Sequence, residues 1–199
     1  MALQNRVLPT GDIVAIPQRG LLTGNRGILH VADRTMGNRR WSHHAWICCT
    51  LDWQGRKRDV MTGRKWTELF FLDEAVAFAA GHRPCGYCRR PAYRAYKSAW
   101  GGAPGAKDMD AALHSARVEG RAQRRTPARL GDLPDGVFVL RNDLAMLWHH
   151  ERLWAFGTDG YKSGPIVSKS EQVWLLTPEP NVNCLRNGYK PRVHPTAKD

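Results

Sequence analysis

The sequence predicts an α+β fold with two unequal halves. Three observations carry that expectation. In the first half, short β-prone runs sit beside two segments with helical punctuation, at residues 73–81 and 89–100. A clear break, LGDLPDG, follows at residues 130–136. Beyond it, residues 137–176 read as short strands with alternating side chains. A chain of 199 residues is long enough to bury a sizeable core. The divisions expected are 1–104, a basic helix and linker over 105–130, and a smaller β-rich region over 131–199.

Residues 1–40 are turn-rich. GDIVAIP suggests a short strand ending at Pro17, and RGLLTGNRG a loop punctuated by Gly20, Gly24 and Gly27. Glycines beside Arg19 and Arg26 would let backbone amides approach a phosphate, but the match to any phosphate-loop motif is poor and a simple turn is the expectation. AWICCTLDW (45–53) is β-prone, GRKR and TGRK suggest a basic hairpin, and WTELFFL (66–72) is another strand. Asp73 is placed to N-cap a short helix, DEAVAFAA, with Gly81 as its stop.

A second helix, RRPAYRAYKSAW, tolerates Pro91 in its first turn. Its Tyr93, Tyr96 and Trp100 recur at i, i+3 and i+7, as a core stripe would. GGAPGAKD is a linker, and DMDAALHSARVEGRAQRRT reads as a helix with a basic tail. GVFVLR, then AMLWHHERLWAF as a strand or a tight hairpin, the turn TDG and EQVWLLTP supply the later strands. PEPNVNCLRNGY suggests a short helix stopped at Gly188.

Lys and Arg outnumber Asp and Glu by 30 to 18, giving a net charge of +12 and a pI near 10.0. Such an excess points to a polyanion partner, most often nucleic acid, with DNA expected over RNA. No apolar run is long enough to span a membrane, and the start shows no secretory h-region. Cytoplasmic location is the expectation.

Cysteines occur at 48, 49, 85, 88 and 184. An odd count without secretory context disfavours a disulfide framework. Cys85-Gly86-Tyr87-Cys88 instead has the spacing that lets two thiolates reach one tetrahedral zinc. A redox Cys-x-x-Cys follows a strand and opens a helix, whereas a helix and a Gly turn precede this one. His44, Cys48 and Cys49 are the candidates for the remaining ligands. On a strand Cys48 and Cys49 point to opposite faces, so one binds and the other is a buried small hydrophobe. The N-terminal half is therefore expected to be zinc-stabilised.

LFFLDEAVAFAAGHRPCGYCRRP resembles the second half of the Ada-type metal-binding domain. That family carries a strand, a short helix, then Gly-aromatic-Arg-Pro-Cys-x-x-Cys. Glu74-Ala75, Ala79-Ala80-Gly81, Arg83-Pro84-Cys85 and Cys88 match in order, with His82 where the family has an aromatic. Small zinc modules with His-x3-Cys ahead of such a segment are also similar, and His44 and Cys48 have that spacing. The resemblance covers about residues 44–91. It implies a zinc scaffold in which one metal-bound thiolate takes a methyl group from a DNA phosphotriester. The family's first Cys-x3-Cys pair is absent here, so His44 with Cys48 or Cys49 would substitute.

The leading expectation is a zinc-stabilised DNA-binding protein, in repair or modification. Arg56, Lys57, Arg58, Arg64, Lys65, Arg89, Arg90 and Arg94 would contact phosphate. The alternative is an enzyme acting on DNA or nucleotides, in which His82, Arg83, His114, Arg117 and His194 converge in a cleft. His114 and Arg117 are spaced i, i+3 and share a helix face. A third class is an interaction module whose basic surface meets an acidic protein.

Overall fold

The computed structural model describes residues 1–57 and 59–198. Strands β1 (Gln4–Val7), β2 (Ile13–Ala15) and β3 (Leu22–Asn25) lead to a side hairpin of β4 (His30–Ala32) and β5 (Thr35–Met36). Then come β6 (Ile47–Thr50), β7 (Leu69–Phe71), helix α1 (Glu74–Ala79) and the two-residue β8 (Arg83–Pro84). Apart from the side hairpin, these strands form one sheet ordered β2-β1-β7-β3-β6-β8. The β1–β7 and β6–β8 pairings are parallel.

Local chemistry sets α1. Asp73 Oδ1 accepts the Val76 N–H at 2.9 Å, and Gly81 ends the segment at φ +80°. A Cβ at Gly81 would also come within 2.3 Å of Arg117 Cδ, so glycine is needed there for both torsion and space. Every residue of α1 is buried, because it packs against both β7 and the later strand Val137–Arg141.

Two helices follow, α2 (Arg90–Trp100) and α3 (Ala106–Arg117). As the stripe predicted, Tyr96 is fully buried, and Tyr93 and Trp100 pack beside it. The small hairpin β9 (Val118–Glu119) and β10 (Ala122–Gln123) precedes β11 (Thr126–Arg129). Then come β12 (Val137–Arg141), β13 (Leu144–His149), β14 (Arg152–Gly157), β15 (Gly160–Ser163), β16 (Gln172–Leu175) and α4 (Glu179–Arg186). The second sheet runs β11-β16-β12-β13-β14-β15. His150 and Glu151, with φ +50° and +55°, make the tight turn between β13 and β14.

The protein is thus mixed α+β and rich in sheet, as expected. Its halves share a core, since Val7, Leu22, Leu69 and Phe71 cluster with Phe138, Leu147, Trp154 and Leu176. The region 105–130 is more than a helix and linker, because β11 pairs with β16 as an edge strand.

Two local expectations are corrected. The basic hairpin around GRKR and TGRK does not form among the described residues, which are turns and bends from 51 to 66. That stretch lacks alternating apolar residues, and side chains tie it down instead. Glu68 Oε2 accepts the Met61 N–H at 2.8 Å, and His30 Nε2 lies 2.8 Å from Gly63 O. The helix expected to run into a basic tail stops at Arg117. Val118 is extended and Gly120 turns at φ +61°. The chain instead places the Gln123 amide nitrogen, with its two hydrogens, among Pro9 O, Ala79 O and Leu176 O at 2.9, 2.8 and 3.2 Å.

Candidate metal centre and its surroundings

The β6–β8 register assembles the candidate metal centre. Ile47 pairs with Arg83 and Cys48 with Pro84, so Cys49 and Cys85 arrive side by side. Alternation turns Cys48 into the core, where it is fully buried, and leaves Cys49 on the opposite face. The turn 85–88 then brings Cys88 back. The Sγ atoms of Cys49, Cys85 and Cys88 all lie within 4.8 Å of one another. Thiolates bound to one tetrahedral zinc at about 2.3 Å stand about 3.8 Å apart. Both the spacing and the soft donor set therefore fit a thiophilic metal ion.

Within the trio, negative charge is favoured on Cys85. The Tyr87 N–H donates to Cys85 Sγ at 3.4 Å. Hydrogen bonds from Cys49 and Cys88 hold the Cys85 thiol far below its ordinary value, with backbone N–H groups of Cys88 and Tyr87 adding to them. Cys49 moves up, because it donates to Cys85 and Cys88 and is buried. A hydrogen bond from Cys49 pulls Cys88 down, but its bond to Cys85 and burial outweigh that and raise it.

Cys48 and His44 are not part of this group. Cys48 accepts a hydrogen bond from Arg89 NH1 at 3.1 Å, and burial pushes its thiol up to about 12. His44 precedes a turn in which the Trp46 N–H donates to His44 O at 2.9 Å. That turn sends its ring onto His114, with centroids 3.6 Å apart. Of Cys48 and Cys49, only Cys49 lies in the cluster that could hold a metal ion.

The basic residues divide. Arg56, Lys57, Arg64, Lys65, Arg90 and Arg94 are exposed, while Arg58 lies outside the described residues. Arg89 is corrected as a phosphate contact. It forms an ion pair with Glu74 at 2.8 Å, with side chains only 11% and 1% exposed. Glu74 also accepts the Tyr189 hydroxyl at 2.7 Å and the Arg192 N–H at 2.9 Å. This network joins the cysteine turn to α1 and the C-terminal tail. The loop carrying Arg56 and Lys57 is seated on the same turn by Trp53, whose ring meets Tyr87 at 5.5 Å.

The five residues expected to converge do so only in part. His82, His114 and Arg117 gather around the buried Trp46. Arg117 NH1 donates to Gly81 O at 2.7 Å and NH2 to His44 O at 2.8 Å, with NH2 also 3.1 Å from His114 Nδ1. Arg83 is held instead by Asp110, through contacts of 2.7 and 2.8 Å. His194 lies at the N-terminus of α1, where its N–H donates to Asp73 Oδ2 at 2.8 Å and its ring meets Thr196. It contributes to that cap and is separate from the Trp46 cluster.

His82 is wholly buried. Arg26 Nε donates to its Nε2 at 3.3 Å, and its Nδ1 lies 3.2 Å from Ala77 O. These partners assign the neutral ring with the proton on Nδ1. Burial, then the charges of Arg26 and Arg117, hold its pKa well below the ordinary value. Below pH 6.5 the unfolded chain binds a proton there that the folded chain refuses, so this contribution to stability is complete above about pH 6.5 and shrinks on acidification. Urea unfolding at pH 5.5 should show a loss of about 1 kcal/mol attributable to His82 relative to pH 7.5. The check is the difference between wild type and His82→Gln. An equal pH slope in both would refute the assignment.

Arg26 is the member of the Trp46 cluster that the sequence reading did not assign. Its guanidinium carbon sits 4.0 Å from the Trp46 ring centroid, and that of Arg117 sits at 3.5 Å. The only hint in the sequence was its place among glycines in GNRG.

No family model matches this chain, and neither the curated proteins nor the solved structures contain a detectable relative. Among the described residues no helix is long and apolar enough to cross a membrane.

Proposed function

We propose that this chain is a zinc-binding protein that binds nucleic acid, foremost DNA, in a repair or modification role. The observation that carries the reading is the Trp53–Tyr87 contact, which seats the loop bearing Arg56 and Lys57 on the turn between Cys85 and Cys88. A zinc held by Cys49, Cys85 and Cys88 would join β6 to the start of α2. The exposed cations of that loop and of α2 would then form one surface. The net charge of +12 supports a polyanion partner. When bound, the metal would keep its thiolates deprotonated.

Salt dependence tests this. If Arg56, Lys57, Arg64, Lys65, Arg90 and Arg94 all meet phosphates, duplex affinity falls about a thousandfold between 50 and 200 mM salt. The triple variant Arg56→Ala, Lys57→Ala, Arg90→Ala should flatten the logarithmic slope by about 3. Absent or salt-insensitive binding to both DNA and RNA would sink the reading.

A second reading has its own observation. Three sulfurs would leave one tetrahedral position open, as in catalytic zinc sites. That favours an enzyme acting on DNA or nucleotides. Product formation from labelled DNA that disappears in Cys49→Ser would support it.

A further inference from the structure

A cavity of about 220 Å³ opens beside Trp46, between the β1–β2 turn, α3 and the β9–β10 hairpin. Arg26, Arg40, Arg117, Arg121 and Arg125 line it, together with Trp41. Among the described residues that line it, Asp12 is the only acid, and Asp12 already accepts the Thr10 hydroxyl at 2.7 Å. The nearby acid Asp110 is occupied by Arg83.

The floor is the unusual part. Arg26 and Arg117 are each only 2% exposed. Neither forms an ion pair with a carboxylate among the described residues. Their partners are carbonyl oxygens and imidazole nitrogens. Arg26 NH2 and Arg117 Nε have no hydrogen-bond partner among the described residues. Burial, against the attraction of Asp12 and with a smaller push from Arg40, pulls Arg26 down to about 9; burial and the charge of Arg26, against Asp110, pull Arg117 down to about 8. A guanidinium resists losing its proton. The pull therefore expresses mainly the cost of burying two cations without a direct ion pair, which the more distant charges of Asp12 and Asp110 offset only in part.

Size alone does not single this cavity out. A larger one of about 620 Å³ lies along β11, β16 and the start of α4. There Arg129 pairs with Asp132 at 2.6 Å and Arg186 with Glu179 at 2.9 Å. Two of its three arginines form ion pairs with carboxylates, whereas neither buried arginine beside Trp46 does among the described residues.

We propose that the cavity beside Trp46 binds a phosphate group, with Arg26 and Arg117 as its floor and Arg40, Arg121 and Arg125 as its rim. Convergent guanidinium forks match the several oxygens and double charge of a phosphate better than a carboxylate's two oxygens and single charge. A volume of 220 Å³ corresponds to roughly seven waters in the liquid. That is ample for a phosphate with part of a sugar and small for a whole nucleotide. The site uses none of the metal ligands and none of the six exposed cations assigned to DNA. It stands whether or not the nucleic-acid reading holds.

The test is calorimetric titration of the full chain with inorganic phosphate at fixed ionic strength, with chloride as the balancing salt. Saturable binding at one phosphate per chain is expected. Arg121→Ala with Arg125→Ala, both at exposed rim positions, should weaken it at least tenfold, and Arg26→Met should abolish it. No saturable binding by wild type, or unchanged affinity in the folded rim variant, overturns the proposal. Competition by a 5′-phosphorylated oligonucleotide but not by its 5′-hydroxyl counterpart would identify a terminal nucleotide phosphate as the source. Competition by neither would identify a small phosphate ion.

Discussion

Purified protein should carry one zinc per chain, and substitution of any one of Cys49, Cys85 or Cys88 by Ser should remove it. Native mass spectrometry before and after chelation reads the result directly. Cys48→Ala and His44→Ala are the informative controls, and both should retain the metal. Cys48 faces the core and His44 stacks on His114. The effect on stability should be large, because metal-binding free energy becomes folding free energy where ligands converge only in the folded chain, about 10 kcal/mol or more in small zinc modules. Here it is divided with a shared hydrophobic core, so chelation should lower the melting temperature while leaving the C-terminal sheet's circular dichroism largely intact. Retention of zinc by Cys49→Ser with loss in Cys48→Ala would mean that β6 presents its other face to the metal.

The second large effect is expected at Glu74. Its carboxylate meets Arg89, the Tyr189 hydroxyl and the Arg192 N–H in a buried setting. Glu74→Ala leaves Arg89 buried without its carboxylate, which costs about 3–5 kcal/mol in such pairs. Denaturant unfolding should show that loss. Combining Glu74→Ala with Arg89→Met should recover much of it, since removing both charges spares the uncompensated cation. Additive losses in the double variant would show that the two side chains are not coupled. Arg90→Ala, one residue along but exposed, should change stability by no more than about 0.5 kcal/mol.

These paired contrasts show where sequence reasoning stops. Asp73 as N-cap, Gly81 as helix stop and the Tyr93/Tyr96/Trp100 stripe were all legible, because each depends on neighbours within one or two turns of chain. The Cys85–Cys88 spacing was legible for the same reason. Alternation also showed that only one of Cys48 and Cys49 could face a metal. Choosing between them needed the parallel β6–β8 register, a pairing between residues 36 positions apart. The expected basic hairpin and helix tail failed because composition alone cannot show what a segment will touch. The Gln123 amide nitrogen sits among carbonyls from three distant parts of the chain.

By itself, then, the sequence determined the α+β class, the capped helix, the thiol-rich turn and the excess of positive charge. Tertiary structure decided which charges are used up. Arg89 and Arg90 are chemically identical neighbours, yet one is spent on a buried glutamate and the other faces solvent. Arg26 and Arg117 are enclosed without an ion pair among the described residues, which no local pattern announces. The physical reason is that capping and turn preferences act within a few residues, whereas the cost of burying a charge depends on every group the fold brings around it.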